Sequence, residues 1–418
     1  MREAQPIGES EFADLMSVFG PFIPDLPRFP VAVAVSGGAD SLCLAWLLRR
    51  WRRAVLALIV DHGLRENSAA EAAETASRLK ALDIPSVILK LDTIDRKGSL
   101  QKNARIARYQ ALTAACLSRG ILDLALGHHE RDQVETLLLR KAHGSSPHGL
   151  AAMALSRETP QLRHIRPLLE IAPERLRATL REQGIVWVED PSNRNRLFER
   201  VRIRLSLDEA SYMAGRGQLA LHALQRNENA SKGAQALAKL HVDPLGFAVM
   251  ATLPDDPALL GRIWQGVSGA AYPPSPVFLE NLIALPKPVT LAGAQLCAAG
   301  RLGSGWLLLR EPSAVAGRIA AQPGVLWDGR FSFSGEVPEQ GGEIAALGDN
   351  ARHFRRHALP AIVLRGLPAL WLGGHVMAVP QLGVFAGPLW AGLAFSFSPA
   401  VLLSDPSFWP EYRETVKT

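Results

Sequence analysis

Val31-Ala-Val-Ala-Val35, followed at once by Ser36-Gly-Gly-Ala-Asp-Ser41, is the stretch on which the fold turns. Five apolar residues in a row, with no polar alternation, describe a short strand buried on both faces. Two glycines then let the backbone turn tightly, and a helix is expected to start near Ser41. With no Cβ in the way, successive N–H groups of such a corner can point at phosphate oxygens, helped by the positive end of the helix dipole. Asp40 and the hydroxyls of Ser36 and Ser41 add polar groups that could orient a nucleotide or its Mg²⁺. A Walker loop is excluded because no Lys lies in or next to the corner, and the GxGxxG pattern is absent here.

Outward from that corner, strand and helix signals alternate. Residues 41–53 read as a helix, and 54–60 as a second buried strand ending at Asp61-His62-Gly63. Residues 68–82 read as a helix, with Ser68 as N-cap and Glu71 three residues on. A strand over 86–91, a helix over 103–119, a strand over 122–126 and a helix over 130–141 follow. Continuous apolar strands separated by helices predict an α/β fold, a parallel sheet with helices on both faces. Ligands of such sheets bind beyond the carboxyl ends of the strands, and polar motifs follow the strand ends at 35, 60 and 126. From about Leu205 the pattern changes. Residues 206–240 read as helices, 268–290 as a Pro-, Gly- and Ser-bearing boundary, and the rest as short apolar runs between turns. Three domains are expected: 1–205, the α/β domain that carries the polar strand-end motifs; 206–287, helical; and 288–418, a small α+β or β-rich domain.

Composition bounds the partners. A chain of 418 residues, 48% hydrophobic and 21% charged, builds real cores in two or three domains. A net charge of +6 suits a polyanion. Cys43, Cys116 and Cys297 form no CxxC pair, which disfavours a zinc ribbon or a disulfide framework. The segment 1–12 carries acidic residues and no apolar core, so no secretory signal is expected. Leu370 to Phe397 is apolar but broken by Gly and Pro, and reads as short strands, not a membrane span. The expected setting is a reducing cytoplasm.

Three further motifs carry chemistry. Val60-Asp-His-Gly-Leu-Arg65 closes the second strand and sets Asp61 and His62 beside the first corner if the strands are neighbours. Ala104-Arg-Ile-Ala-Arg-Tyr109 puts Arg105 and Arg108 on one helix face, where either could grip a phosphate. Gly127-His-His-Glu-Arg-Asp132-Gln-Val-Glu135-Thr136 follows the fourth strand. Asp132 and Glu135 there suit a helix start, and equally Mg²⁺ or a substrate ammonium. Adjacent His128 and His129 point apart, so zinc binding is disfavoured against contact with ATP and substrate. A later run, Arg194, Arg196, Arg200, Arg202 and Arg204, has a density that suits either contact with a polyanion's phosphates or an exposed basic helix.

The corner SGGADS after VAVAV resembles the pyrophosphate loop of the ATP pyrophosphatases, the PP-loop superfamily. The whole set resembles one branch of it, the tRNA(Ile)-lysidine synthetases. It comprises SGGADS, VDHGLR, ARIARY, GHHERDQVET, HGLAAM at 148–153, RPLL at 166–169 and the tract Trp187-Val-Glu-Asp-Pro-Ser-Asn193, all within 1–205. That resemblance implies a reaction. ATP adenylates the C2 oxygen of the wobble cytidine in the CAU anticodon of isoleucine tRNA; free L-lysine displaces AMP to leave lysidine, which reads AUA.

It also implies residue roles. Ser36, Gly37, Gly38, Ala39, Asp40, Ser41, Asp61, His62, Arg105, Arg108 and Gly127 would bind ATP. Asp40, Asp132 and His128 would be catalytic, Asp132 and Glu135 would hold lysine, and Asp40 and Asp132 are the candidate Mg²⁺ ligands; Arg194, Arg196, Arg200, Arg202 and Arg204, with the domains 206–287 and 288–418, would contact the tRNA. No membrane partner and no tightly held organic cofactor are implied; oligomeric state is left open, with a homodimer considered. Two positions depart from the family pattern: Ser146 replaces a loop glycine, and Val201 stands where Asn is common. The alternatives weighed are a 2-thiolation enzyme of the same superfamily, disfavoured by unpaired cysteines, and a catalytically silent tRNA-binding protein, disfavoured by intact SGGADS and Asp132.

Overall fold

The structure, a computed structural model, describes residues 4–63, 67–91, 100–145, 147–159, 162–188, 199–238, 240–354 and 357–399. It divides into two compact units, one up to Asn229 and one from Ala230 onward.

The first unit is built on β1 (Val31–Val35), β2 (Val55–Asp61), β3 (Ser86–Lys90), β4 (Asp123–Ala125), β5 (Ser156–Glu158) and β6 (Arg163–Ile165). Their spatial order is β3-β2-β1-β4-β6-β5. All pairings are parallel except β5 on β6, so the expected parallel sheet carries one antiparallel edge strand. The three polar residues of β5, Ser-Arg-Glu, give no apolar signal from which that strand could be read.

Side chains of a strand alternate between faces, and the two faces are covered differently. Val33, Val35, Ala57, Ile59, Ala125 and Ile165 meet α1 (Glu9–Ser17), α2 (Ala39–Trp51), α3 (Ser68–Ala81) and α7 (Pro173–Glu182). Ala32, Leu58, Leu124 and Leu126 meet Leu112, Ala115 and Cys116 of α4 (Leu100–Leu117). The chain runs β1 to β3 in one direction, then returns through α4 to β4 on the other side of β1. The strand order therefore reverses between β1 and β4, which opens a crevice at their carboxyl ends.

Helix starts differ from expectation in two places. The first helix after the corner begins at Ala39, with Gly38 as its N-cap. The cap of α3 is Asn67, not Ser68, and its side chain makes no capping bond. Ser68 instead donates its hydroxyl to Asp61 Oδ1 at 2.6 Å, because the β2 carboxylate is the stronger acceptor within reach.

Beyond β4 come α5 (Glu130–Ala142), the short α6 (Pro147–Leu150), α8 (Glu199–Ser206) and α9 (Glu209–Leu237). Val134 and Leu137 of α5 pack with Tyr212 and Leu219 of α9. The approach is tight at Gly215, where an added Cβ would lie 2.7 Å from Val134 Cγ1; at Gly217 it would meet nothing within 4 Å. These two glycines predict opposite outcomes. Gly217→Ala should stabilise by about 1 kcal/mol through helix propensity. Gly215→Ala should destabilise by about 1–3 kcal/mol through overpacking. Thermal unfolding of the two variants, with equal shifts as the contrary result, checks this.

In the second unit, β7 (His241–Asp243), β8 (Phe247–Met250), β9 (Val289–Leu291), β10 (Ala294–Ala298) and β11 (Trp306–Arg310) form an antiparallel sheet ordered β7-β8-β11-β10-β9. It is covered by α10 (Pro257–Ser268) and α11 (Pro276–Ala284) through Ile263, Trp264 and Leu279. Two strands thus lie inside the stretch 206–287 expected to be helical, and α11 lies inside the expected boundary. Strands of three and four residues are too short to show a period.

Residues 319–397 form two more small sheets sharing a core of Trp327, Phe331, Phe333 and Phe395. Asp328 ties that region to β11: it accepts from Arg330 Nε at 2.8 Å and from Arg310 Nη2 at 2.7 Å. The apolar stretch 370–397 is short strands and turns, as its glycines and prolines predict. Among the described residues no helix is long and apolar enough to cross a membrane.

Candidate active site

The corner after β1 is held by its own polar groups. Ser41 Oγ accepts the Ser36 N–H at 3.1 Å and donates to the Gly38 carbonyl at 3.1 Å. Gly37 has φ +85°, and a Cβ there would lie 2.5 Å from Thr75 Oγ1. The Gly37 carbonyl accepts from Val188 N–H at 3.0 Å. No side chain caps the start of α2, so its first-turn N–H groups are left for an external acceptor such as a phosphate. Gly127, after β4, closes the crevice from the other side. A Cβ on it would sit 3.0 Å from Ser41 Cα and 3.1 Å from the Asp40 carbonyl carbon and oxygen. The two strand ends therefore touch, backbone to backbone.

His129 and Asp132 open α5 with a reciprocal cap: the His129 N–H donates to Asp132 Oδ2, and the Asp132 N–H donates to His129 Nδ1. His129 Nε2 lies 3.5 Å from Asp40 Oδ2 and 3.7 Å from Asp132 Oδ2. Burial works to lower the His129 pKa, but the Asp40 and Asp132 carboxylates carry it above the usual value. Burial likewise works to raise the Asp132 pKa, and His129 and Arg200 overcome it, holding the carboxyl below the usual range. His128 faces a different set of charges. Its ring keeps some exposed surface but Nδ1 is shut from water, and burial, reinforced by Arg166, Arg200 and Arg105 against Asp132, pushes its pKa down to about 3.

One turn along α5, Glu135 is fully buried. Arg200 Nε bonds Glu135 Oε2 at 2.7 Å, and its Nη2 bonds Asp132 Oδ1 at 2.8 Å. Arg204 Nε bonds Glu135 Oε1 at 2.6 Å. The spacing of four places both arginines on the face of α8 that meets α5. Arg200 and Arg204, expected at tRNA phosphates, are thus brought to the two carboxylates expected to hold lysine. Val201, one of the two departures, is buried beside them, while Arg202 is exposed. Arg194, Arg196, Arg65, Ser146 and the tract 189–193 lie outside the described residues.

The remaining expected ATP contacts are placed as follows. Asp61 Oδ1 accepts from Ser68 Oγ and from the Gly63 N–H at 3.0 Å, bonds that lower its pKa and shape the turn holding His62. Arg105 and Arg108 flank the Tyr109 ring, with guanidinium carbons 5.1 and 5.4 Å from its centroid. Ala39 is buried at the first position of α2. Among the described residues no cluster of three His, Cys, Asp or Glu could enclose a metal. Asp40 Oδ1, however, is buried without a hydrogen-bond partner. A lone carboxylate oxygen beside an uncapped helix start fits Mg²⁺, which is commonly held by one or two carboxylates and substrate phosphates. Both Asp132 oxygens are engaged by Arg200 and His129.

Residues 14–210 match the family model described as a PP-loop domain. A protein of Ruegeria pomeroyi named tRNA(Ile)-lysidine synthase is 35% identical, with 86% of this chain and 90% of that one covered. One of the same name from Brucella melitensis biotype 2 is 31% identical, with 88% and 89% covered. Among solved structures, the U34-tRNA thiolase NcsA from Methanococcus maripaludis is 18% identical with a TM-score of 0.41, over 50% of this chain and 78% of that one.

Proposed function

The chain belongs to the tRNA(Ile)-lysidine synthase family, and we propose that it joins free L-lysine to C2 of the wobble cytidine in the CAU anticodon of isoleucine tRNA. The observation that carries this reading is the line Asp40, His129, Asp132, which connects a phosphate-binding corner to a paired carboxylate site across one crevice.

The steps follow from the chemistry. Cytosine O2 attacks the α-phosphorus of ATP, the α–β anhydride bond breaks, and pyrophosphate leaves. The uncapped N–H groups of α2 hold the phosphates in line. Mg²⁺ held by Asp40 and the phosphates would offset the charge on the departing pyrophosphate. The ε-amine of lysine then attacks C2, the C2–O bond breaks, and AMP leaves.

The amine must be neutral to attack, while free lysine is mostly protonated near pH 7. Asp132, held ionised by His129 and Arg200, binds the ammonium, whose proton passes to water as the amine attacks. Because Oδ1 already bears Arg200, the ammonium docks beside a guanidinium, and that like charge lowers its pKa and favours the free amine. Arg202, together with Arg194, Arg196 and the chain beyond 206, contacts the tRNA, and a cytoplasmic setting supplies ATP, lysine and tRNA.

Sulfur transfer fits the site less well. Cys43 and Cys116 are both buried, and burial pushes each thiol up to about 12, away from the reactive thiolate. The test is mass analysis of the wobble nucleoside after incubation with ATP, Mg²⁺, lysine and the isoleucine tRNA. The expected result is a gain of one lysyl group with stoichiometric pyrophosphate, both absent in Asp40→Ala. A gain of sulfur, or pyrophosphate release with an unchanged nucleoside, overturns the reading.

A further inference from the structure

On the α4 side of the crevice, buried polar atoms converge that no step above uses. Tyr109 Oη, Arg166 Nε and His128 Nδ1 are shut from water with no hydrogen-bond partner among the described residues, and the His164 ring nitrogens are equally shut in, with only the Arg157 backbone acting on the ring and no bond of good geometry. His164 and Arg166 are each only 8% exposed. Leaving such groups unpaired costs roughly 1–3 kcal/mol apiece, so their coincidence calls for a ligand.

Their positions place them on one wall. His164 is paired in register with Leu124 across β6 and β4, and Leu124 and Leu162 both belong to the core on the α4 face. The two-residue period of the strand puts His164 on that face and aims Arg166 the same way just past its end. The Tyr109 ring of α4 meets His164 edge-on, with centroids 5.8 Å apart. Arg166 is anchored by Nη1 donating to the Ala154 carbonyl at 2.9 Å, which leaves Nε directed elsewhere. The Leu126 N–H to Ile165 carbonyl bond holds the ends of β4 and β6 together, so His128 and Arg166 leave the sheet side by side.

The charge around this wall is positive. Arg105, Arg157 and Arg166 act on one another or on the two histidines, and the carboxylate that reaches them, Asp132, is already matched by Arg200. Each unpaired residue can supply a donor: a phenol O–H, a guanidinium N–H and one N–H on each imidazole. A cationic wall of unused donors at a strand-end crevice selects an oxyanion with several acceptor oxygens.

We propose that Tyr109, His164 and Arg166, with His128, form a second phosphate subsite across the crevice from the Ser36–Ser41 corner. It receives the pyrophosphate as that group separates from the adenylate. This deepens the proposed function and rests on its release of pyrophosphate. Holding the leaving group here would draw it away from the α-phosphorus and oppose reversal of adenylation.

The test uses Tyr109→Phe and Arg166→Lys in the full chain, with inorganic pyrophosphate as the probe in calorimetry and as a product inhibitor. Tyr109→Phe removes one unpartnered hydroxyl and little else. It should weaken pyrophosphate binding about fivefold or more while leaving the melting temperature equal or higher, because an unsatisfied buried atom is lost. A merely structural tyrosine would not show that split. Arg166→Lys should weaken it further. The same chemistry could meet a phosphate of the RNA backbone. In that case both variants weaken tRNA binding and flatten its salt dependence by about one phosphate contact, and pyrophosphate affinity is unchanged. Either pattern supports a phosphate subsite, and the first supports the leaving-group assignment. Unchanged affinity for both ligands overturns the proposal. Because the binding measurement needs neither lysine nor turnover, failure of the lysidine reading would leave it intact, and failure of the subsite would leave wild-type turnover intact.

Discussion

Gly37→Ala is expected to lower tRNA-dependent pyrophosphate release by at least about a hundredfold, with lysine affinity unchanged. Two separate strains act at this position. The backbone lies at φ +85°, a region that costs an L-residue roughly 1–2 kcal/mol. The new Cβ would also lie 2.5 Å from Thr75 Oγ1, inside any tolerable contact. Thr75 cannot simply turn away. It is 2% exposed, and its hydroxyl donates to the Glu71 carbonyl at 2.8 Å within α3. The corner must therefore move, and with it the α2 N–H groups that we propose hold the phosphates. A displacement near 1 Å at a reacting group is worth about 10²-fold in rate. Adding Thr75→Ala removes the contact but not the dihedral, so the double variant should recover part of the stability and only a fraction of the rate. Wild-type pyrophosphate release by Gly37→Ala would show that the corner does not hold ATP.

That glycine also marks what could be read from the sequence. The apolar runs of β1 and β2 and the polar segments at their ends gave the sheet, the corner and the crevice, because buried parallel strands leave an unbroken apolar signature. The antiparallel edge strand and the three-residue β6 left none, and with them went the placement of His164. Arg166 stood inside the noted RPLL segment and Tyr109 inside ARIARY. What they face is set by sheet register, which local sequence does not encode. The same limit explains Arg200 and Arg204. Their density pointed to phosphates, and their actual partners, Asp132 and Glu135, lie 65 to 69 residues away in the chain. Only the folded arrangement of α5 and α8 shows that acid and base neutralise each other there.

That neutralisation makes Glu135→Gln the sharper probe of the lysine half of the site. Glu135 has no exposed surface and bonds Arg200 through Oε2 and Arg204 through Oε1. Glutamine keeps the shape but presents an NH₂ donor to one guanidinium, leaving two cations with Asp132 as their remaining carboxylate. Removing one member of a fully buried pair costs about 3–5 kcal/mol. The side chains of Arg200 and Arg204 are 35% and 32% exposed, so solvent screening should reduce the loss to about 1–3 kcal/mol. The larger effect should fall on lysine. Both arginines would then compete for Asp132, and a substrate ammonium would have to displace them, raising the KM for lysine by more than about tenfold, equivalent to about 1.4 kcal/mol. The KM for ATP should stay within twofold, since the corner at 36–41 is untouched. Arg204→Met in the same background should restore part of the lysine affinity by removing one competitor, an outcome that a general loss of packing could not produce. If lysine KM stays at the wild-type value in Glu135→Gln, the carboxylates of α5 are structural anchors for α8 and lysine binds elsewhere.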